Sequence, residues 1–233
     1  MTRALHITKA IWRRVALGLY ALPLLLGAAA AQEYIEVDGP LSDEDFYRVV
    51  ACAAAPQGDC NKPIIRWPSE RQLRLQVGIA QIGEGFADYK LDLIDRALDD
   101  AITQINSAGA NLFLERAYEG AFDIPIFLTD TAQGGTLQGT GRPELDGTPI
   151  SVGRVVLRSR AGEITSAAIA ISRDVRRREI ASVVLEELVQ AMGLPTDIAS
   201  PAYSRSVFSE TSNSVVWLRG QDAQALRMHY PRN

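Results

Sequence analysis

Apolar and polar residues alternate in the segment 71–80, where Leu73, Leu75, Val77 and Ile79 occupy every second position. This period of two predicts a half-buried β-strand. In residues 89–109 the spacing changes to that of an amphipathic helix, which the glycine at 109 would end. The pattern therefore predicts a domain that opens with a strand and a long helix.

Four further apolar segments predict strands, at residues 111–117, 123–130, 151–159 and 164–172. The dipeptide Ala161-Gly162 joins the last two segments and is typical of a hairpin turn. The glycine-rich residues 131–149 lack the Gly-Lys-Ser/Thr of a phosphate-binding loop, and a strand follows them instead of a helix. We expect a surface loop that borders a cleft.

Two helices are predicted near the end of the chain, over residues 176–194 and 220–231. At about 100° per residue, Glu187 shares a face of the first helix with Ile180 and Val184, so it should point towards the core or the floor of a cleft. A carboxyl group in that place needs a raised pKa or a hydrogen-bond partner. Glu187 is then either a general acid or base or, as we favour, a structural carboxylate. Glu186 and Gln190, one turn apart, are expected to hydrogen-bond each other.

The first 31 residues have the composition of a secretory signal peptide. Four basic residues precede an apolar run at 15–27, and small residues lead up to a cleavage point after Ala31. A retained membrane anchor is the alternative, but the run is shorter than the ~20 residues that a spanning helix needs. We therefore expect a periplasmic or secreted protein without a membrane span after cleavage.

Residues 32–62 predict an N-terminal extension that precedes a main domain at 63–233. Ser42, followed by acidic residues, is a good N-cap for a short helix. Cys52 and Cys60 lie close together in sequence, and in an oxidising compartment an even number of cysteines favours a disulfide. Zinc binding by two isolated thiols has little support, because structural zinc sites normally use four ligands.

Charge argues against a nucleic-acid partner. Without the signal peptide the chain retains 20 basic and 28 acidic residues, whereas nucleic-acid binding needs a basic stripe. The one dense basic segment, residues 173–179, is interpreted as a solvated helix start in preference to an anion site.

The segment 183–197, VVLEELVQAMGLPTD, and the order of the predicted elements resemble the metzincin branch of the zincin proteases, whose helix carries HExxHxxGxxH. The chain resembles more closely an uncharacterised family of secreted bacterial proteins with Glu-Glu-x-x-Gln at that place. The resemblance implies an α+β, zincin-like mixed sheet packed on two long helices, plus a C-terminal helix. It also implies roles by position: Glu186, Gln190 and Thr196 at degenerate ligand positions, Glu187 at the general-base position and Gly193 at the turn.

A zinc cofactor is not expected. Catalytic zinc sites use three protein ligands that are mostly imidazoles, and His6 is removed with the signal peptide, which leaves only His229. Amide and hydroxyl oxygens are poor zinc ligands. A hard cation held by Glu186, Gln190 and Thr196, with charge added by Asp197 and Glu210, is the weaker alternative. His229 is interpreted as a packing residue.

Two hypotheses on function follow. The first is a scaffold or binding protein that keeps the cleft of a protease without its metal and accepts an envelope protein or peptide there. The second is a hydrolase with a noncanonical site in which Glu187 is the general acid or base. The sequence leaves open whether the protein is an enzyme, but it argues against conventional zinc-peptidase activity.

Overall fold

A computed structural model describes residues 34–232 of the chain. The predicted signal peptide lies outside the described residues. The helices are α1 (Asp43–Cys52), α2 (Leu91–Ser107), α3 (Ile180–Gln190) and α4 (Gly220–His229). The strands are β1 (Tyr34–Glu36), β2 (Leu75–Ile82), β3 (Leu114–Arg116), β4 (Ile124–Leu128), β5 (Gly153–Arg160), β6 (Glu163–Ile171) and β7 (Asp197–Ala199). Within this described part, no helix is both long and apolar enough to cross a membrane.

The main sheet has five strands in the order β3-β2-β4-β6-β5. The first four of these strands are mutually parallel, whereas β5 pairs antiparallel with β6 and forms one edge. The expected hairpin turn between β5 and β6 is confirmed, because Ala161 and Gly162 have φ values of 53° and 84°. The domain is therefore a mixed α/β structure, which confirms the predicted combination of helices with a mixed sheet.

Helices cover one face of this sheet. Ile126 and Leu128 of β4 belong to the same buried core as the apolar faces of α2 and α3, which also contact each other. The prediction of two long helices holds only for α2, which has 17 residues, because α3 has 11. The predicted helix is shortened at both ends. Residues 177–179 form a turn instead of helix, and the residues after Gln190 form a turn that ends at Gly193, whose backbone is left-handed.

The glycine-rich loop after β4 covers the opposite face. Its apolar residues Leu137, Leu145 and Ile150 form a second core with side chains of β4 and β6 that point away from the helices, namely Phe127, Ala168 and Ala170. The expectation of a simple surface loop was therefore incomplete. Single apolar residues spaced along a glycine-rich segment carry no periodic signal, so their burial depends on the sheet face that they meet.

The N-terminal segment is folded against the C-terminal helix. Ser42 caps α1 as predicted, accepting a hydrogen bond from the Asp45 backbone N–H at 3.1 Å, and the predicted disulfide between Cys52 and Cys60 is confirmed. Phe46 of α1 packs on Phe208 and Tyr203, with ring centroids 5.9 and 5.2 Å away. The strand pair β1 and β7 was not predicted, because strands of three residues give no readable periodicity.

Candidate functional site

Glu187 of α3 lies against the edge strand of the sheet. Its exposed fraction is only 6%, which confirms that it points inward. A Cβ atom added to Gly153, the first residue of β5, would overlap the Glu187 carboxyl group. The missing side chain at position 153 therefore lets this carboxyl group approach the backbone of β5.

Glu186 is half-buried beside three other carboxyl groups. Burial raises its pKa well above the usual range, and the negative charges of Glu187, Asp197 and Glu210 raise it further. We call these four residues the acidic cluster. They come from α3, from the start of β7 and from the segment after β7, so the chain turn beyond α3 brings them together.

Gln190 joins α3 to β7. Its side-chain amide donates a hydrogen bond to Asp197 at 2.8 Å, and it is buried. The expected hydrogen bond between Glu186 and Gln190 was therefore wrong, because β7 places a carboxylate within reach of the same amide. A charged acceptor makes the stronger hydrogen bond.

Thr196 lies inside the domain. It is fully buried, its backbone N–H donates to Val50 in α1 at 3.2 Å, and its hydroxyl group has no hydrogen-bond partner within residues 34–232. In the same part of the chain, no group of three or more histidine, cysteine, aspartate or glutamate side chains is arranged to hold a metal ion. The three residues predicted at ligand positions thus have different surroundings. Glu186 is half-buried, Gln190 is hydrogen-bonded to Asp197, and Thr196 is enclosed.

Gly193 makes the turn after α3, as its alignment with zincins implies. Its φ of +97° is a left-handed conformation that other residues rarely adopt. An added Cβ would overlap the carbonyl oxygen of Ile65 and lie 2.8 Å from Nε2 of His229. The turn therefore needs glycine for two reasons, the backbone conformation and the close approach of His229.

His229 is fully buried with both ring nitrogens hydrogen-bonded. Nε2 lies 2.9 Å from the carbonyl oxygen of Ile65, and Nδ1 lies 3.3 Å from the hydroxyl group of Tyr47. Burial, helped by the nearby Arg66 charge, lowers the pKa of His229 to about 3. The ring is therefore neutral, with Nε2–H donating to Ile65 and Nδ1 accepting from Tyr47. The interpretation of His229 as a packing residue is confirmed.

Arg66 and two aromatic residues complete this arrangement. Arg66 donates to the Tyr47 hydroxyl at 2.8 Å and to the His229 carbonyl at 2.7 Å. The Tyr230 hydroxyl accepts from the Trp67 backbone N–H at 3.0 Å and donates to the Met192 carbonyl at 2.7 Å. We call Tyr47, Arg66, Trp67, His229 and Tyr230 the His229 network. It fixes the turn after α3 to α4 and to the connector before β2.

Asp222 is a further buried acid that sequence reasoning missed. It accepts hydrogen bonds from the Ser206 hydroxyl at 2.6 Å and from the Val207 backbone N–H at 3.0 Å. Burial raises its pKa to about 6, although these hydrogen bonds oppose the shift. The sequence signal for Asp222 is its position in the first turn of α4, where the helix dipole favours an acid.

Together these features define a mixed α/β domain with a half-buried acidic cluster beside an edge strand and a separate buried polar network. Residues 62–233 match a protein family of unknown function, DUF2927, and the chain belongs to this family. No curated protein matches the chain. Membership of an uncharacterised family is thereby confirmed.

Proposed function

We propose that the protein is an exported, zincin-like binding scaffold that accepts an extended peptide or protein segment beside α3 and β5. It would do so without zinc-dependent hydrolysis. The observation that carries this proposal is the state of the three aligned ligand positions. Gln190 is bonded to Asp197, Thr196 is enclosed, and only Glu186 contributes a carboxyl group to the acidic cluster.

The remaining histidine supports the same conclusion. Zinc binding by His229 would require a ring nitrogen to leave Ile65 or Tyr47, and the ring is fully buried among those partners. Leaving buried polar partners without hydrogen bonds costs about 1–3 kcal/mol each. His229 is thus committed to the fold.

The edge position of β5 supports a peptide partner. Among the described strands β5 pairs only with β6, so its other side offers backbone N–H and C=O groups to an added strand. The carboxyl group of Glu187 lies against Gly153, the first residue of β5. The acidic cluster is therefore at one end of the proposed docking edge.

Hydrogen exchange tests the docking edge. We would select binders from a library of random peptides on the purified protein and measure amide protection with and without the best binder. The expected result is added protection in β5. The opposite edge strand, β3, is the internal control, and protection confined to β3 would contradict the proposal.

Metal analysis tests the absence of zinc chemistry. Zinc in the purified protein should be substoichiometric, and Glu187→Gln should leave that content unchanged. Stoichiometric metal that disappears in Glu186→Ala would overturn the scaffold proposal.

Export is tested separately by N-terminal sequencing of protein recovered from outside the cytoplasm. The expected first residue is Gln32, and a mature chain that still begins at Met1 would argue for a retained anchor.

A hydrolase with a noncanonical site is the second candidate, and one observation favours it. Burial raises the pKa of Glu186 well above its usual range, and Glu187 is a second carboxyl group beside it, so the two could serve as an acid and a base. Hydrolysis of a selected peptide that is lost in both Glu186→Gln and Glu187→Gln, with unchanged peptide binding, would favour this candidate.

A further inference from the structure

We propose that a surface depression beside the His229 network is a binding site for a carboxylate group, carried by a small organic acid or by the C-terminus of a peptide. The depression has a volume of about 430 Å³ and is lined by Arg66, Gln72, Asn111, His229, Tyr230 and Pro231. None of these residues belongs to the acidic cluster, so the inference is independent of the proposed function.

Arg66 supplies a positioned cation. Its Nε donates to the His229 carbonyl and its Nη2 to the Tyr47 hydroxyl, which fixes the plane of the guanidinium group. Arginine has five N–H donors in a rigid fork, and the remaining donors have no partner in the described part of the chain. The arginine is therefore held in place before any ligand arrives.

No carboxylate in residues 34–232 neutralises this half-buried arginine. The ion pairs of the described residues do not include it, and its two hydrogen-bond acceptors are a neutral hydroxyl group and a backbone carbonyl. Burial raises the pKa values of Tyr47 and Tyr230 and lowers that of His229, and the positive charge of Arg66 acts on all three in the lowering direction. Charges removed from water are normally paired, so a missing counter-charge in an acidic protein points to an external anion.

Two neutral amides complete the recognition site. The side chains of Gln72 and Asn111 line the depression and form no hydrogen bond with residues of the described chain. Each amide offers N–H donors to a second oxygen of the ligand. One guanidinium with two neutral amides suits a singly charged carboxylate better than a doubly charged phosphate, because each added charge would need its own cation.

Titration followed by amide and arginine NMR signals tests this site on the purified protein. The probes are propionate, N-acetyl-Ala-Ala with a free carboxylate, its C-terminal amide, and inorganic phosphate. We expect saturable shifts at the Arg66 Nε–H with both carboxylates and none with the amide. Tighter binding of the dipeptide than of propionate assigns the site to peptide C-termini, and equal binding assigns it to small acids.

The variants separate recognition from folding. The double substitution Gln72→Ala and Asn111→Ala removes no hydrogen bond of the described chain and should weaken carboxylate binding about tenfold. Gln133→Ala removes an exposed amide on the loop that follows β4 and should leave binding unchanged. Arg66→Lys retains the charge but loses the planar fork. It should weaken carboxylate binding at least as much as the Gln72 and Asn111 double substitution does.

Four results would overturn the inference, three from the titrations and one from the variants. The first is the absence of saturable shifts with both carboxylates. The second is equal binding of the C-terminal amide, and the third is phosphate binding as tight as carboxylate binding. An unchanged affinity in the Gln72 and Asn111 double variant would remove the two amides from the site and would contradict the recognition proposed here.

Discussion

The His229 network and the acidic cluster lie on either side of the end of α3, and they treat buried polar groups in opposite ways. In the network, the ring nitrogens of His229, the hydroxyl groups of Tyr47 and Tyr230 and the Trp67 backbone all have hydrogen-bond partners. In the cluster, burial raises the pKa of Glu186 well above its usual range, and the negative charges of Glu187, Asp197 and Glu210 raise it further. The network stabilises the turn, whereas the surroundings of Glu186 disfavour its charged form.

This difference indicates where function is to be sought. A polar network with matched donors and acceptors specifies a single packing arrangement. Acids that repel one another cost stability, and strongly shifted pKa values concentrate at functional sites, although structural ion pairs shift them too. The comparison therefore assigns the matched hydrogen bonds of His229, Tyr47, Trp67 and Tyr230 to architecture. The candidates for function are the acidic cluster and, at the edge of the network, the spare donors of Arg66.

The largest expected effect is the pH dependence that His229 adds to stability. Its pKa is about 3 in the folded protein and near 6.5 in the unfolded chain, so the unfolded state binds more protons between these values. The free energy of unfolding should fall by about 1.4 kcal/mol per pH unit as pH decreases below about 6.5. The measurement is urea unfolding of the wild type and His229→Gln at several pH values. The difference between their free energies of unfolding should change with pH by this amount.

A histidine signal that titrates near its ordinary pKa in NMR spectra of the folded protein would contradict this prediction without needing the variant. Asp222, whose pKa is raised to about 6, contributes the opposite slope between about pH 4 and 6 and is present in both proteins. Its contribution should therefore cancel in the difference.

Gly193→Ala should have the next largest effect. The substitution combines a left-handed backbone with an overlap against the Ile65 carbonyl and His229, and we expect a loss of about 3 kcal/mol in urea unfolding. Gly120→Ala is the matched control, because its φ is +94° but no atom lies within 4 Å of the added Cβ. The control should lose only about 1 kcal/mol, and equal losses would mean that the contact with His229 contributes nothing.

Tyr230→Phe should cost about 2 kcal/mol. It removes the hydroxyl group that serves the Trp67 N–H and the Met192 carbonyl, and both would remain buried without that partner. Tyr118→Phe is the control, since Tyr118 is 71% exposed and should change stability by less than about 0.5 kcal/mol. Thermal unfolding of the pair would measure the difference, and equal melting temperatures would argue against a structural role for the network.

Glu186→Gln should have the smallest effect on stability, and it should stabilise the protein whereas the substitutions above destabilise it. A raised pKa means that Glu186 stabilises the fold below its unfolded-state pKa and that this contribution is lost as pH rises. The variant should therefore be more stable than the wild type by about 1 kcal/mol near pH 8, with a smaller gap near pH 4.5. Exposed Glu119→Gln should show no such trend. Destabilisation of Glu186→Gln at both pH values would show that the cluster is a structural network as well.

Much of the fold could be predicted from local patterns. The alternation in β2, the helical spacing of α2, the cap of α1 and the disulfide each depend on residues close in sequence. The short strands β1 and β7 and the second core under the glycine-rich loop were missed, because their stability comes from distant partners. The inward direction of Glu187 was predictable from helix geometry, but the partner of Gln190 was not.

By itself, the sequence determined the order of the elements, the acidic character of the chain and the scarcity of histidine that argues against a conventional zinc site. The tertiary structure alone decided which acids meet and which polar groups are matched, since Glu186, Asp197 and Glu210 are brought together by the turn after α3. The tertiary structure also places His229 beside Gly193 and within hydrogen-bond distance of Tyr47 in α1, which is 182 residues away in sequence. The physical reason is that charge repulsion and desolvation depend on distances in space, which residue spacing does not encode.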